Sequence, residues 1–112
     1  MGPDAPVGFR CEVEPGLEDH VTIRPVGELD LATADHLHEQ LRALRDADFA
    51  HVTLDLGRLT FIDSTGIRLL IVWTAKASVD GWRLEMLPGS SSIDRTLDLN
   101  GVRDRFFPAA SS

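Results

Sequence analysis

The sequence is short of several features that define whole classes of protein. Its longest unbroken apolar run, Leu69 to Trp73, is far shorter than the roughly 20 residues that a membrane span requires. A single cysteine, Cys11, excludes an internal disulfide or a cysteine metal cage, and we interpret it as a small strand residue. Residues 1–6 lack the basic and apolar regions of a secretory signal peptide. We therefore expect a cytoplasmic protein that does not act at a membrane.

Basic charge is also scarce. Eleven Lys and Arg residues stand against 18 Asp and Glu, which gives a net charge of -7. Because binding to phosphate backbones requires a basic surface, nucleic acid is excluded as the main partner. The 112 residues, 43% of them hydrophobic, suffice for one globular domain with an ordinary core. We expect that domain to span residues 8–108, with loose termini at 1–7 and 109–112.

Hydrophobic periodicity predicts an α/β protein. Alternating apolar residues predict strands at 9–14, 20–26, 51–56 and 82–87, with a further short edge strand at 102–107. Helical spacing predicts an amphipathic helix capped by Asp30 or Thr33, a second from Ser64 to about Ser78, and a third at 93–99 capped by Ser91 or Ser92. The order β-β-α-β-α-β-α predicts a mixed four- to five-stranded sheet with about three to four helices packed on it.

Three segments of this pattern carry more detailed expectations. Residues 27–30 are predicted to leave the sheet and enter the first helix. Residues 57–63 are predicted to form a loop anchored by Phe61 and Ile62. Pro25 removes one donor from the strand ladder, so we expect a bulge or an unpaired stretch there.

The turn Asp63-Ser64-Thr65-Gly66 is the main candidate for a functional site. It lies between a buried strand and an apolar helix, where open α/β sheets place their binding sites. The first amides of the helix are unpaired and carry partial positive charge, so they would hold a phosphate on Ser64. The alternative is that Asp63 or Ser64 serves only as the helix N-cap.

Two segments together resemble the STAS domain, and specifically the free-standing bacterial anti-sigma factor antagonists. They are Gly27-Glu28-Leu29-Asp30-Leu31 and the stretch 54–66, which ends in the Asp-Ser-Thr-Gly turn. The resemblance covers roughly residues 8–108. It implies that Ser64 is the phosphoacceptor, that Thr65 is a minor acceptor, and that residues 27–30 lie beside the turn.

The resemblance also implies a function and its partners. The unphosphorylated antagonist would bind an anti-sigma factor, an ATP-binding serine kinase of the histidine-kinase-like ATPase fold, and so release the sigma factor. Phosphorylation at Ser64 would end the binding, and a PP2C-type phosphatase would restore it. The alternative within the family is a scaffold or regulatory subunit of a stress-signalling or lipid-transport complex without sigma-factor control.

A partner surface is expected around the turn and along the helix that follows it. Leu69, Val72 and Trp73 form an apolar strip that is either a docking surface or part of the core. The residues predicted to contact the partner are Glu28, Asp30, Asp63, Thr65, Gly66, Arg68, Leu69 and Trp73.

Catalysis and cofactor binding find little support in the sequence. A serine hydrolase would require Gly-x-Ser-x-Gly at the turn, and position 62 is Ile. His36 and His38 lie two apart on a helix and do not share a face, no two histidines show i, i+4 spacing, and no Gly-x-x-x-x-Gly-Lys is present. We therefore predict a binding protein that is not an enzyme and has no cofactor or metal.

Overall fold

A computed structural model describes residues 8–107 of the chain. The strands are β1 (Arg10–Pro15), β2 (His20–Leu29), β3 (His51–Asp55), β4 (Leu59–Ile62) and β5 (Arg83–Leu87). The helices are α1 (Ala34–Asp46), α2 (Ser64–Asp80), α3 (Ser91–Leu99) and α4 (Arg103–Phe106). The predicted loose termini at 1–7 and 109–112 lie outside the described residues.

The five strands form one mixed sheet. β1 pairs antiparallel with β2 as a hairpin, and β2, β3 and β5 run parallel in the order β1-β2-β3-β5. β4 also pairs in parallel with β2, beyond the stretch that β3 occupies. The predicted mixed sheet with three to four helices is therefore confirmed, and β2, α1 and β3 form a parallel β-α-β unit within it.

The end of β2 differs from the sequence-based prediction. Residues 27–30 were expected to leave the sheet, but β2 continues to Leu29 because β4 pairs with Gly27 to Leu29. The prediction of a loop over residues 57–63 is wrong for the same reason. Pro25 stays in register with Cys11 on β1. On the other side of β2 the pairing with β3 ends at Ile23 and the pairing with β4 begins at Gly27, so the unpaired stretch expected at Pro25 is found there. A separate register shift lies between Gly27 and Glu28.

Two predictions about the C-terminal third are also wrong. Ser90, rather than Ser91 or Ser92, caps α3, since its hydroxyl accepts from the amide of Ile93 at 3.3 Å. Residues 102–107 contain the short helix α4 instead of an edge strand. Val102 and Phe106 are both buried, and their i, i+4 spacing places them on one helical face.

A single hydrophobic core lies between the sheet and the helices. Buried residues of β2, β3, β4 and β5 form one cluster with buried residues of all four helices. No helix within residues 8–107 is long and apolar enough to cross a bilayer. The fully buried core residues with the largest side chains are Trp73, Ile23, Leu29, Leu37, Leu41, Leu54, Leu56, Leu70, Ile93 and Leu97.

Candidate functional site

The predicted turn lies where β4 ends and α2 begins. The amide of Asp63 donates to the carbonyl oxygen of Leu29 at 3.1 Å, so the end of β2 and the start of α2 are in direct contact. Since β2 and β4 are parallel, the turn lies at the carboxyl end of two adjacent strands. This hydrogen bond places residues 27–30 beside the Asp63 to Gly66 turn, as expected.

Asp63 is the N-cap of α2. Its carboxylate oxygen Oδ1 accepts from the amides of Thr65 at 2.9 Å and Gly66 at 3.0 Å, and its carbonyl accepts from Ile67 at 3.0 Å. Ser64 is the first residue of the helix and is exposed. Within residues 8–107 its hydroxyl makes no hydrogen bond. Of the two capping residues that the sequence allowed, the structure therefore selects Asp63.

Gly66 allows α2 to begin close against the sheet. The residue is buried, and a Cβ placed on it would lie 2.8 Å from the carbonyl oxygen of Leu29 and 2.9 Å from side-chain carbons of Leu29 and Ile62. These distances are shorter than any ordinary carbon contact. Gly66 therefore has a packing role in setting the position of the turn, and it offers a partner no side chain.

The segment between β2 and α1 is held by its own side chains. The hydroxyl of Thr33 donates to the carbonyl of Glu28 at 2.7 Å and accepts from the amide of Asp30 at 2.9 Å. The carboxylate of Asp30 accepts from the amide of Ala32 at 3.0 Å. Thr33 is the N-cap residue of α1, one of the two expected, but its hydroxyl bonds within this loop and not to the first amides of the helix. The Glu28 side chain is exposed beside the turn.

The connection between β3 and β4 is fixed by an ion pair. Arg24 Nε donates to Asp55 Oδ2 at 2.9 Å, and this bond raises the pKa of Arg24 above its ordinary value. The other oxygen, Asp55 Oδ1, accepts from the amide of Gly57 at 2.8 Å. The amide of Gly27 in turn donates to the carbonyl of Arg58 at 3.2 Å. These bonds hold β4 in its register with β2, which places Asp63 next to the end of β2.

Helix α2 presents two different faces. At 100° per residue, the buried residues fall together on the side that packs on the sheet, and Ser64, Arg68, Val72 and Val79 fall together on the opposite side. Arg68 is exposed, and Val72 and Val79 are 44% and 83% exposed. The buried residues of α2 are Gly66, Ile67, Leu70, Trp73 and Ala77.

Trp73, one of the expected partner contacts, belongs to the core, which is the second of the two alternatives that the sequence left open for it. Its side chain is only 2% exposed, and its indole Nε1 donates to His38 Nδ1 on α1 at 3.1 Å. Leu69 is half-buried and packs against the core. Of the expected strip only Val72 is exposed, and it is continued along the helix by Val79 instead of Trp73.

The sequence-based interpretation missed an exposed aromatic residue beside the turn. Phe61, which was expected to anchor a loop, is 47% exposed because it lies on β4 as the register partner of Glu28. Its neighbour Ile62 is buried, as a strand requires. The four residues 59–62 contain three apolar side chains, and this short apolar run was the available signal for a strand.

Comparison with known proteins agrees with this architecture. The curated anti-sigma-B factor antagonist of Staphylococcus epidermidis is 29% identical over 87 residues, which cover 78% of this chain and 81% of that protein. A solved anti-sigma factor antagonist from Mycobacterium paratuberculosis superposes with a TM-score of 0.77 at 22% identity, over 95% of this chain and 88% of that one. The phosphorylated form of the Bacillus cell fate determinant SpoIIAA superposes with a TM-score of 0.66 at 19% identity, over 87% of each chain.

At these identities the two structural matches show the shared fold. The family itself is shown by a sequence model described as "Mlab, STAS domain", which matches residues 15–107. That range runs from the end of β1 to the residue after α4 and includes the turn at Asp63 to Gly66. The chain belongs to the STAS-domain family.

Proposed function

We propose that this chain is an anti-sigma factor antagonist whose binding is switched by phosphorylation of Ser64. The observation that carries the proposal is the division of roles at the start of α2. Asp63 caps the helix, so the Ser64 hydroxyl is exposed and bound to no other group of the described chain. Because its relatives are named as anti-sigma factor antagonists, we assign this chain to the regulatory binding proteins and not to the enzymes.

The partner is an anti-sigma factor that is also an ATP-dependent serine kinase of the histidine-kinase-like ATPase fold. The Ser64 oxygen attacks the γ-phosphorus of ATP, the bond to the ADP oxygen breaks, and the hydroxyl proton passes to a base of the kinase. A PP2C-type phosphatase hydrolyses the phosphoserine and restores the free hydroxyl.

The contact surface surrounds Ser64. Glu28 and Phe61 lie next to each other on the exposed side of β2 and β4, and Arg68 and Val72 continue the surface along α2. Thr65 and Leu69 are half-buried and contribute at its edge, while Asp30 and Asp63 shape it through their hydrogen bonds to the backbone. Gly66 and Trp73 are buried and act through the packing of α2, and Trp73 also through its hydrogen bond to His38.

Phosphate switches binding because it lies within the contact. It adds about -1.5 to -2 charge to a chain that already carries -7. A loss of about 1.4 kcal/mol weakens binding tenfold, so repulsion and desolvation of the phosphate suffice to release the partner. The fold itself need not change.

The proposal is tested by incubating the protein with ATP and the anti-sigma kinase candidate of the same organism, followed by intact mass measurement. We expect the mass to rise by one phosphoryl group in the parent protein and in Thr65→Val, and to stay unchanged in Ser64→Ala. Ser90→Ala is a matched control, because Ser90 also lies at a helix start but accepts the amide of Ile93.

Two results would contradict the proposal. One is the absence of any mass gain with every anti-sigma kinase of the organism. The other is a gain that persists in Ser64→Ala, which would place the modification elsewhere. A binding measurement completes the test, since Ser64→Glu is expected to weaken kinase binding at least tenfold.

A further inference from the structure

A phosphate on Ser64 would find few of the free backbone amides that a helix start usually offers, since in residues 8–107 only the amide of Ser64 itself lacks an acceptor among the first amides of α2. The carboxylate of Asp63 already accepts from the amides of Thr65 and Gly66, at 2.9 and 3.0 Å. The amide of Ile67 donates to the carbonyl of Asp63 within the first turn. A phosphate would have to displace the carboxylate to use them, so its counter-charge must come from a side chain.

The surroundings of Ser64 make that counter-charge necessary. Asp63 precedes it in the chain, and Asp30 and Glu28 lie at the end of β2, which is hydrogen-bonded to the turn. All three are acidic. A phosphate dianion placed among them is disfavoured unless a cation lies within contact distance.

Arg68 is the cation on the same face of α2 as Ser64. The two residues are four apart, one helical turn, which brings their Cβ atoms to about 5–6 Å. Both are exposed, and Arg68 forms no ion pair with the part of the chain that the structure describes. Arg24 and Arg103, by contrast, are already bound to Asp55 and Asp94 at 2.9 and 2.7 Å. An anion N-terminal to a cation at i, i+4 is also the favourable orientation on a helix.

We infer that Arg68 is the internal counter-ion of phosphorylated Ser64. This inference rests on the proposed function, and it names how the phosphate acts within this chain. In the unphosphorylated protein the guanidinium of Arg68 is free to meet a carboxylate of the partner. In the phosphorylated protein it is held by the phosphate, so one modification both adds negative charge and withdraws a positive contact.

The inference is tested without any kinase, by incorporating phosphoserine at position 64 during translation. The second pKa of the phosphate is then read from the phosphorus chemical shift as a function of pH. Because a nearby cation favours the dianion, Arg68→Gln is expected to raise this pKa by about 0.3 pH unit or more. Arg68→Lys keeps the charge and is expected to retain most of the effect.

Arg95→Gln is the matched control. Arg95 is an exposed arginine on α3 that forms no ion pair among residues 8–107, so its loss changes net charge equally on a helix other than the one that carries Ser64. The difference between Arg68→Gln and the parent should shrink in 1 M salt, where the screening length is about 3 Å.

An unchanged phosphate pKa in Arg68→Gln, or an equal shift in Arg95→Gln, would overturn the inference. Neither result bears on whether a kinase modifies Ser64. Conversely, a failure of kinases to modify Ser64 would contradict the proposed function and leave the measured phosphate pKa intact. Thermal unfolding of each variant checks that the exposed substitutions leave the fold unchanged.

Discussion

Asp63 and Ser64 have different roles at the start of α2: the carboxylate of Asp63 caps the helix, and the hydroxyl of Ser64 is left exposed. Both residue types are good N-caps, so the sequence left the choice open. The structure resolves it through backbone position, because Asp63 has the extended conformation of a cap and Ser64 is already helical. The consequence is functional: modifying Ser64 does not break the cap, so the helix remains intact in both states of the proposed switch.

Gly66 provides a test of this arrangement at the scale of one residue. In Gly66→Ala the new methyl group meets the carbonyl oxygen of Leu29 at 2.8 Å and two side-chain carbons at 2.9 Å. The start of α2 must shift away from β2 to relieve the contacts. We expect the free energy of unfolding to fall by about 1–3 kcal/mol, measured by urea denaturation.

Gly57→Ala is the control for that substitution. A Cβ at Gly57 meets only the side chain of Asp55, at 3.0 Å, and the residue is exposed. A loss of stability in Gly66→Ala no larger than that in Gly57→Ala would contradict the close approach of α2 to the sheet.

At the scale of elements, the packing of α2 determines which of its apolar residues are buried and which are exposed. Apolar residues lie around much of the circumference of α2, so the sequence alone does not decide which of them face the core and which face solvent. The two neighbouring elements decide it, since the sheet and α1 bury Trp73, and the residues turned away from them are left exposed.

Trp73→Ala and Val72→Ala should therefore differ strongly in their effect on the free energy of unfolding. Removing the buried indole is expected to cost about 3–5 kcal/mol of unfolding free energy, while Val72→Ala on the exposed face should change it by less than about 0.5 kcal/mol. Chemical denaturation measures both. Trp73→Phe should fall between them, because the ring is retained but the hydrogen bond to His38 is lost. Similar stabilities for the Trp73→Ala and Val72→Ala proteins would contradict the assignment of faces.

The same elements show what could be predicted from the sequence and what could not. Strong periodic segments such as Leu37 to Leu41 of α1, and the strand at His51, were predicted from local pattern alone. β4 was missed because four residues carry too little periodicity, and its existence depends on pairing with β2, which is distant in the chain. Whether Trp73 belongs to the core or to a docking surface stayed open for the same reason, since its burial depends on the elements that pack against it.

The site was predictable in its position but not in its details. The Asp63 to Gly66 turn and the segment 27–30 could be singled out from residue types and resemblance. The contact between the amide of Asp63 and Leu29, and the exposure of Phe61, both depend on the β2–β4 register. No single segment contains that information.

Over the whole molecule, few groups titrate at alkaline pH. The sequence contains no tyrosine, Lys76 is its single lysine, and the other cationic residues are arginines and histidines. The thiol of Cys11 belongs to this small set, and its ionisation depends on its burial.

Cys11 makes global stability depend on pH in the alkaline range. Its partial burial on β1 raises the pKa of the thiol from 9.0 to about 12. Between these values the unfolded chain has lost the thiol proton and the folded chain retains it, so unfolding releases a proton and the free energy of unfolding falls as pH rises. Below pH 9 the thiol is protonated in both states and contributes no slope.

We expect the parent protein to lose on the order of 1 kcal/mol between pH 9 and pH 11 through this group, since partial exposure of Cys11 screens part of the shift. Cys11→Ala removes the thiol and should flatten the curve, as measured by urea denaturation across the pH range. Lys76 is common to both proteins, so their difference isolates Cys11. If the stability curves of the two proteins ran parallel with pH, Cys11 would ionise as readily in the folded chain as in the unfolded one. That result would contradict the packing of Cys11 against the core.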